Sequence, residues 1–314
     1  MSDAPAAKSQ LKTVLVAFAA NLLVAIAKSV AAFVTGSASM LAEAAHSWAD
    51  AGNEIFLLIA ERRSVKPANA THPLGFGREA YVWSLFAAVG LFTAGAVVSV
   101  QHGISELIDP EPASDFSVAY IVLAVAFVLE GISFAQSLVQ ARKGAARFNR
   151  RPLDYALNSS NTTLRAVLAE DAAALIGLVV AFLGILLHQL TGNAVWDALG
   201  SIAIGLLLGV VAVVLINRNR RFIVGQTPGD SARRIAGRVL TNHPEIARVT
   251  YLHLEFVGPE QLFAVAAVDL VGNHREEEVA RQLREIERSI EGNSLIRKAV
   301  LTLSVSDEPS IDFD

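Results

Sequence analysis

Residues 37–61 read SASMLAEAAHSWADAGNEIFLLIAE, an apolar run that carries His46, Asp50, Asn53 and Glu54 where a helix in hydrocarbon would carry aliphatic side chains. At about 100° of turn per residue, His46 and Asp50 stand one above the other on a single helix face. Glu43 lies three residues before His46 and Asn53 three after Asp50, so the polar positions make a stripe. Ionisable groups at the middle of a membrane helix are costly, and they face a bundle interior or an ion path where something satisfies them. The stripe therefore asks for partners from other helices.

Working outward, the chain supplies them. Its 314 residues are 53% hydrophobic and 18% charged, with a mean hydropathy of +0.45, too apolar for an ordinary soluble domain. Runs long enough to cross roughly 30 Å of hydrocarbon occur near 11–34, 40–60, 80–107, 118–139, 164–188 and 196–216. From Arg221 onward charges return. The pattern there predicts a helix over 231–241, strands over 248–256 and 262–271, a helix over 275–291 and a strand over 298–305, which is the order of a small α+β sandwich. The expected fold is an all-α bundle of six transmembrane helices over residues 1–221, followed by a small cytoplasmic α+β domain over 222–314.

Lysine and arginine cluster in three places: Arg62, Arg63, Lys66 and Arg78; Arg142, Lys143, Arg147, Arg150 and Arg151; and Arg218, Arg220 and Arg221. The intervening loops are acidic (Glu106, Asp109, Glu111, Asp115) or uncharged (189–194). The positive-inside rule then puts both termini in the cytoplasm, in a multi-pass protein expected in the cell's inner membrane. No cleavable signal peptide is expected, because the first apolar run is too long. A net charge of −4 gives no reason to expect a nucleic-acid partner. Cysteine is absent, so any metal must be held by imidazole and carboxylate, ligands that suit Zn²⁺ and also accept Mn²⁺, Fe²⁺ or Co²⁺.

Further polar residues sit inside the other spans. Asn21 and Lys28 in the first are expected to bond within the bundle, Lys28 with a carboxylate of the second span. Glu130 falls near the centre of the fourth span, and Glu170 and Asp171 lie about a third of the way into the fifth. Glu43, Asn53 and Glu54 read as groups that support the ligands. Gly90 and Gly95 are expected to allow close helix contact, His72 to order its loop, and His188, His243, His253 and His274 to be solvated. Zinc-protease spacing and a serine-nucleophile motif are both missing, so an intramembrane enzyme is not expected.

The second-span run Leu41-x-Glu43-Ala44-x-His46-Ser47-x-x-Asp50, the loop His72-Pro73-x-Gly75-x-Gly77-Arg78, six spans and an α+β tail together resemble the cation diffusion facilitator family of metal/proton antiporters. The resemblance implies a tetrahedral transport site with two ligands four apart on the second span, matched by His46 and Asp50, and two four apart on the fifth. Asp171, followed by Ala174 and Gly177, matches the second of that pair, but Val167 stands where the first would be. Glu170 and Glu130 are left as candidates for the fourth ligand, with Glu130 alternatively paired to Lys28, a pattern similar to the branch that includes zinc transporter nine. The family further implies a divalent cation and protons as substrates, no permanently bound cofactor, and a homodimer joined by the tail. Asn69 and Phe76 replace ligands in the second loop, and the tail histidines match no metal site, so the tail is expected to dimerise without metal. Two alternatives stay open: an Mn²⁺ or Fe²⁺ exporter, and a transport-inactive membrane protein that binds metal or a partner.

Overall fold

The computed structural model describes residues 4–110, 115–147 and 151–313; Glu111 and Arg150 among the loop charges lie outside them. Helix α1 (Ala4–Thr35) turns at Gly36 into α2 (Ala38–Ser64), with Ser37 capping α2 by accepting from the Met40 N–H at 3.2 Å. A span follows in two parts, α3 (Glu79–Ala87) and α4 (Thr93–Ile108), joined by one π-helical turn over Ala88–Phe92. After α5 (Phe116–Arg147) and the short α6 (Pro152–Asn158) come α7 (Thr162–Thr191) and α8 (Val195–Val224). Asn161 caps α7 through the Leu164 N–H, and Gly192 at φ 68° ends it.

Among the described residues, five helices are long and apolar enough to cross a membrane: 18–35, 79–108, 116–146, 162–191 and 195–224. The second expected span, α2, is about 40 Å long but carries Glu43, Asp50 and Glu54, which dilute its hydropathy. It is enclosed instead, packing against α1, α3, α4, α7 and α8. Large apolar side chains point outward elsewhere, among them Phe33, Ile121, Leu206 and Val213, as a surface facing acyl chains requires.

Three details differ from the expectations. Gly95 does allow close contact, with Leu208 and the Ala45 carbonyl against it, but Gly90 sits in the π-helical turn with open space beside it. His188 is buried, edge-on to Phe116 at 5.4 Å, not solvated. The basic connection after α5 contains α6, begun by Pro152, whose fixed φ suits a first helical turn. Its Ala156 packs with Ala141 of α5 and with Leu164 and Leu168 of α7.

The C-terminal domain follows the expected element order, with ends moved by one or two residues. Helix α9 (Asp230–Thr241) precedes β1 (Ile246–Gly258) and β2 (Gln261–Leu270), an antiparallel pair; α10 (Glu276–Glu291) then crosses to β3 (Ile296–Leu303), which runs parallel to β2. The sheet order is β1-β2-β3. Leu240, Leu252, Val268, Ile286 and Leu301 fill the core between helices and sheet.

This domain is docked on the basic end of the bundle. Phe222 of α8 stacks on Tyr81 at 4.9 Å and meets Phe256 of β1 edge-on at 5.5 Å. Arg78 pairs with Glu255, and the Glu260 N–H donates to Ser160 Oγ at 3.0 Å. Beneath the rings Arg165 is buried: its guanidinium donates to the Ser159 carbonyl at 2.7 Å and to Asn219 at 2.5 Å, and lies 5.2 Å from the Phe222 ring centre. Gly77 is the tightest point. A Cβ there would meet the Val257 carbonyl and lie 2.7 Å from Gly258 Cα, and backbone cannot swing aside as a side chain can. Gly77→Ala is therefore expected to undock the sheet, raising limited proteolysis in the 225–229 connection about tenfold, the shift given by about 1.4 kcal/mol of overpacking.

Candidate metal centre

The stripe on α2 faces the bundle interior. His46 is 1% exposed, and its Nε2 lies 3.5 Å from Asp50 Oδ2, the contact that i, i+4 spacing sets up. That distance is within ion-pair range, but the geometry is not that of a hydrogen bond: both ring nitrogens of His46 and Oδ1 of Asp50 are buried without a hydrogen-bond partner. Oε1 of Glu43 and Oε2 of Glu54 share that condition. Buried polar atoms left unpaired are expensive. Here five of them come from one helix face, and the carboxylate oxygens with one nitrogen of a neutral imidazole offer lone pairs, a donor set that can take a cation.

The neighbouring helices bring the other acids. On α7, Glu170 reaches α2, accepting from Asn53 Nδ2 at 2.6 Å, while Asp171 turns to α5 and accepts from Ser133 at 2.9 Å and Ser137 at 3.5 Å. Both are buried. The two residues are adjacent in sequence and about 100° apart round the helix, so one addresses each neighbour. Glu130 of α5 is partly buried. Asp50 and Glu54 on α2, Glu170 and Asp171 on α7 and Glu130 on α5 thus put carboxylates on three helices of one bundle. Val167 adds no donor.

In this conformation the acids do not close on a point: among the described residues, no three histidine, aspartate or glutamate side chains stand close enough to hold a metal ion. The pair on α2 is together; Glu170 and Asp171 are held off by Asn53 and the two serines; Glu130 stands apart on α5. Other polar residues of the first two helices are paired. Lys28, fully buried, pairs with Glu43 Oε2 at 2.8 Å, a carboxylate of the second span, and not with Glu130. Asn21 donates to Glu54 at 2.6 Å. In the second loop His72 stacks on Phe76 at 4.1 Å while the Asn69 side chain accepts from the Thr71 and His72 N–H groups, so these residues shape the loop.

Two of the buried polar residues that carried no signal in the sequence tie helices together. Asp197, at the start of α8, accepts from the Ser37 hydroxyl at 3.0 Å and from the N–H groups of Ala38 and Ser39 at 2.8 and 3.1 Å. Arg165 is the other. Each has its main partner far along the chain, beyond the reach of helical spacing.

A family model described as the cation efflux transmembrane domain matches residues 14–224. The chain belongs to the cation efflux family. Membership places it among transporters and not enzymes. The chain is 35% identical over 262 residues to the proton-coupled zinc antiporter SLC30A9, mitochondrial, of Xenopus laevis, covering 83% of this chain and 47% of that protein. It is 32% identical over 261 residues to the human protein of the same name, covering 83% and 46%, and 32% identical over 252 residues to metal tolerance protein C4 of Arabidopsis thaliana, covering 80% and 55%. The chain thus spans about half the length of these relatives.

In this cation efflux protein Gly177 of α7 is what lets the stripe pack. A Cβ there would strike Glu43 Oε1 and lie 3.8 Å from His46 Nδ1. Gly177→Ala is expected to destabilise the bundle by about 1–3 kcal/mol, read as a lower midpoint of thermal unfolding in detergent.

Proposed function

We propose that the chain exports a divalent metal ion from the cytoplasm in exchange for protons, with Zn²⁺ as the principal cargo. Residues 1–221 are the transporting unit, and residues 222–314 form a cytoplasmic domain that joins two copies. Both termini are cytoplasmic in this reading. The observation that carries it is the His46–Asp50 pair, whose ring nitrogens and Oδ1 have no hydrogen-bond partner, in a bundle that also buries Glu170 and Asp171 and whose outer surface is apolar. Likeness to proteins named as proton-coupled zinc antiporters supports the choice of cargo and counter-ion.

The chemistry follows from competition for lone pairs. His46, Asp50 and Asp171 are the proposed ligands, with Glu130 or Glu170 as the fourth after a change of helix position that frees it. Metal binding needs imidazole neutral and carboxylates ionised, so the two substrates exclude each other and affinity falls as pH falls. Imidazole is the group whose ordinary range lies nearest neutrality and is the natural proton carrier. When the site opens to the acidic side, protons displace the ion; when it opens to the cytoplasm, the ion displaces protons.

The test is flux. Purified protein in sealed vesicles with an imposed pH gradient should take up Zn²⁺, and zinc should move protons in return. In detergent, zinc binding should weaken steadily from neutral to mildly acidic pH. Binding without pH-driven flux would mark a metal-binding relative that does not transport; faster movement of Mn²⁺ or Fe²⁺ would reassign the cargo.

A further inference from the structure

The start of α2 is fixed twice over. Its own cap is Ser37, the ordinary arrangement in which the preceding side chain satisfies a free N–H. A carboxylate then arrives from another helix: Asp197 Oδ1 accepts from the Ser37 hydroxyl and the Ser39 N–H, Oδ2 accepts from the Ala38 N–H, and the Ser39 hydroxyl donates back to the Asp197 carbonyl at 2.8 Å. The acid is 2% exposed. An anion at a helix N-terminus, out of water and receiving charge-assisted hydrogen bonds, is a strong tie.

The tie lies at a crossing with no spare room. Ser39 is fully buried, and its Oγ sits where a Cβ on Gly200 of α8 would have to go and 3.0 Å from where one on Gly184 of α7 would stand. Three helices therefore meet on one hydroxyl at the end of the bundle remote from the docked sheet. His46 lies seven residues further along α2, about 10 Å below, and Met40 and Glu43 between them are fully buried. This crossing leaves no room for a passage between the first turn of α2 and the facing glycines of α7 and α8.

We infer that Asp197 is a positioning residue for transport: it latches the first turn of α2 to α8 and holds the remote end of the bundle shut, so that release of the ion on that side requires the latch to part. This rests on the alternating exposure proposed above. The latch couples the helix that carries the ligand pair to a helix that carries none of the proposed ligands, which makes it a fixed point against which α2 moves.

The test uses the absence of cysteine from the chain. Ala42, fully buried one turn before His46, is replaced by Cys as a reporter, and a membrane-impermeant thiol reagent is applied separately to each face of sealed vesicles. Protease access to the sheet domain defines the faces. Asp197→Asn, which removes the charge and one acceptor at constant size, should raise labelling from the remote face about tenfold, the scale of a lost hydrogen bond to a charged group. Labelling from the sheet side should not rise, and zinc binding in detergent should stay close to that of the parent. Ser39→Ala, which deletes one bond of the cluster, should act in the same direction and more weakly, and serves if Asp197→Asn does not fold. The Ala181→Cys reporter on α7 should respond in parallel. Unchanged labelling in both variants, or an equal rise from both faces, overturns the latch, the second result marking a merely structural cap. Failure of the parent to move zinc would instead overturn the transport reading and leave the labelling comparison intact.

Discussion

Asp50→Ala vesicles are expected to take up zinc under a pH gradient at about 1% of the parental rate or less. Removing a partner that merely orients a metal ligand already costs 10–100-fold in affinity or activity, and Asp50 is proposed as a ligand itself. The same substitution should leave stability unchanged or raise it. Asp50 Oδ1 is buried with no hydrogen-bond partner, and removing such an unsatisfied group regains the desolvation that its burial had cost. Thermal unfolding in detergent should therefore show a midpoint equal to or above the parent's while transport is lost. A fall of both together would mean that Asp50 is a structural element of the bundle.

The opposite outcome is expected at Lys28. Its ammonium and the Glu43 carboxylate are 1% and 0% exposed and stand 2.8 Å apart, so Lys28→Met leaves a carboxylate in an apolar bundle without its cation. Breaking a buried pair from one side costs about 3–5 kcal/mol, which should appear as a large drop in the unfolding midpoint. Removing both charges is a different matter. Apolar residues of similar volume often replace a buried pair at little cost, so Lys28→Met with Glu43→Leu should recover most of the stability. If the double variant is as unstable as the single one, Glu43 has a partner more important than Lys28.

The sequence was most informative where helical spacing decides the contact. His46 and Asp50 are four residues apart on one helix, and the structure puts Nε2 and Oδ2 within 3.5 Å. A lysine in the first span beside an acid-bearing second span, joined by a very short turn, left few partners for Lys28, and Glu43 is the one found. The strands and helices of the C-terminal domain were legible from their alternating and amphipathic patterns for the same local reason. What could not be read depends on packing between distant segments. Asp197 meets Ser37 across 160 positions, and Arg165 meets Asn219 across 54, with no periodicity to announce either. Glu170 and Asp171 look equivalent in sequence, yet Asn53 draws one to α2 while Ser133 draws the other to α5. Gly90 and Gly95 look alike too, and only Gly95 faces a neighbouring helix.

The central claim is that imidazole and carboxylates from α2 and α7 grip one doubly charged ion inside the bundle. Anomalous scattering from crystals of the protein soaked in Zn²⁺ tests it most directly. The account predicts a peak within about 2.0–2.2 Å of His46 Nε2 and of carboxylate oxygens of Asp50 and Asp171, with Glu130 or Glu170 moved in as the fourth neighbour. Zinc found only in the loops or the sheet domain, with the His46–Asp50 pair unchanged and without an ion at saturating metal, would contradict it.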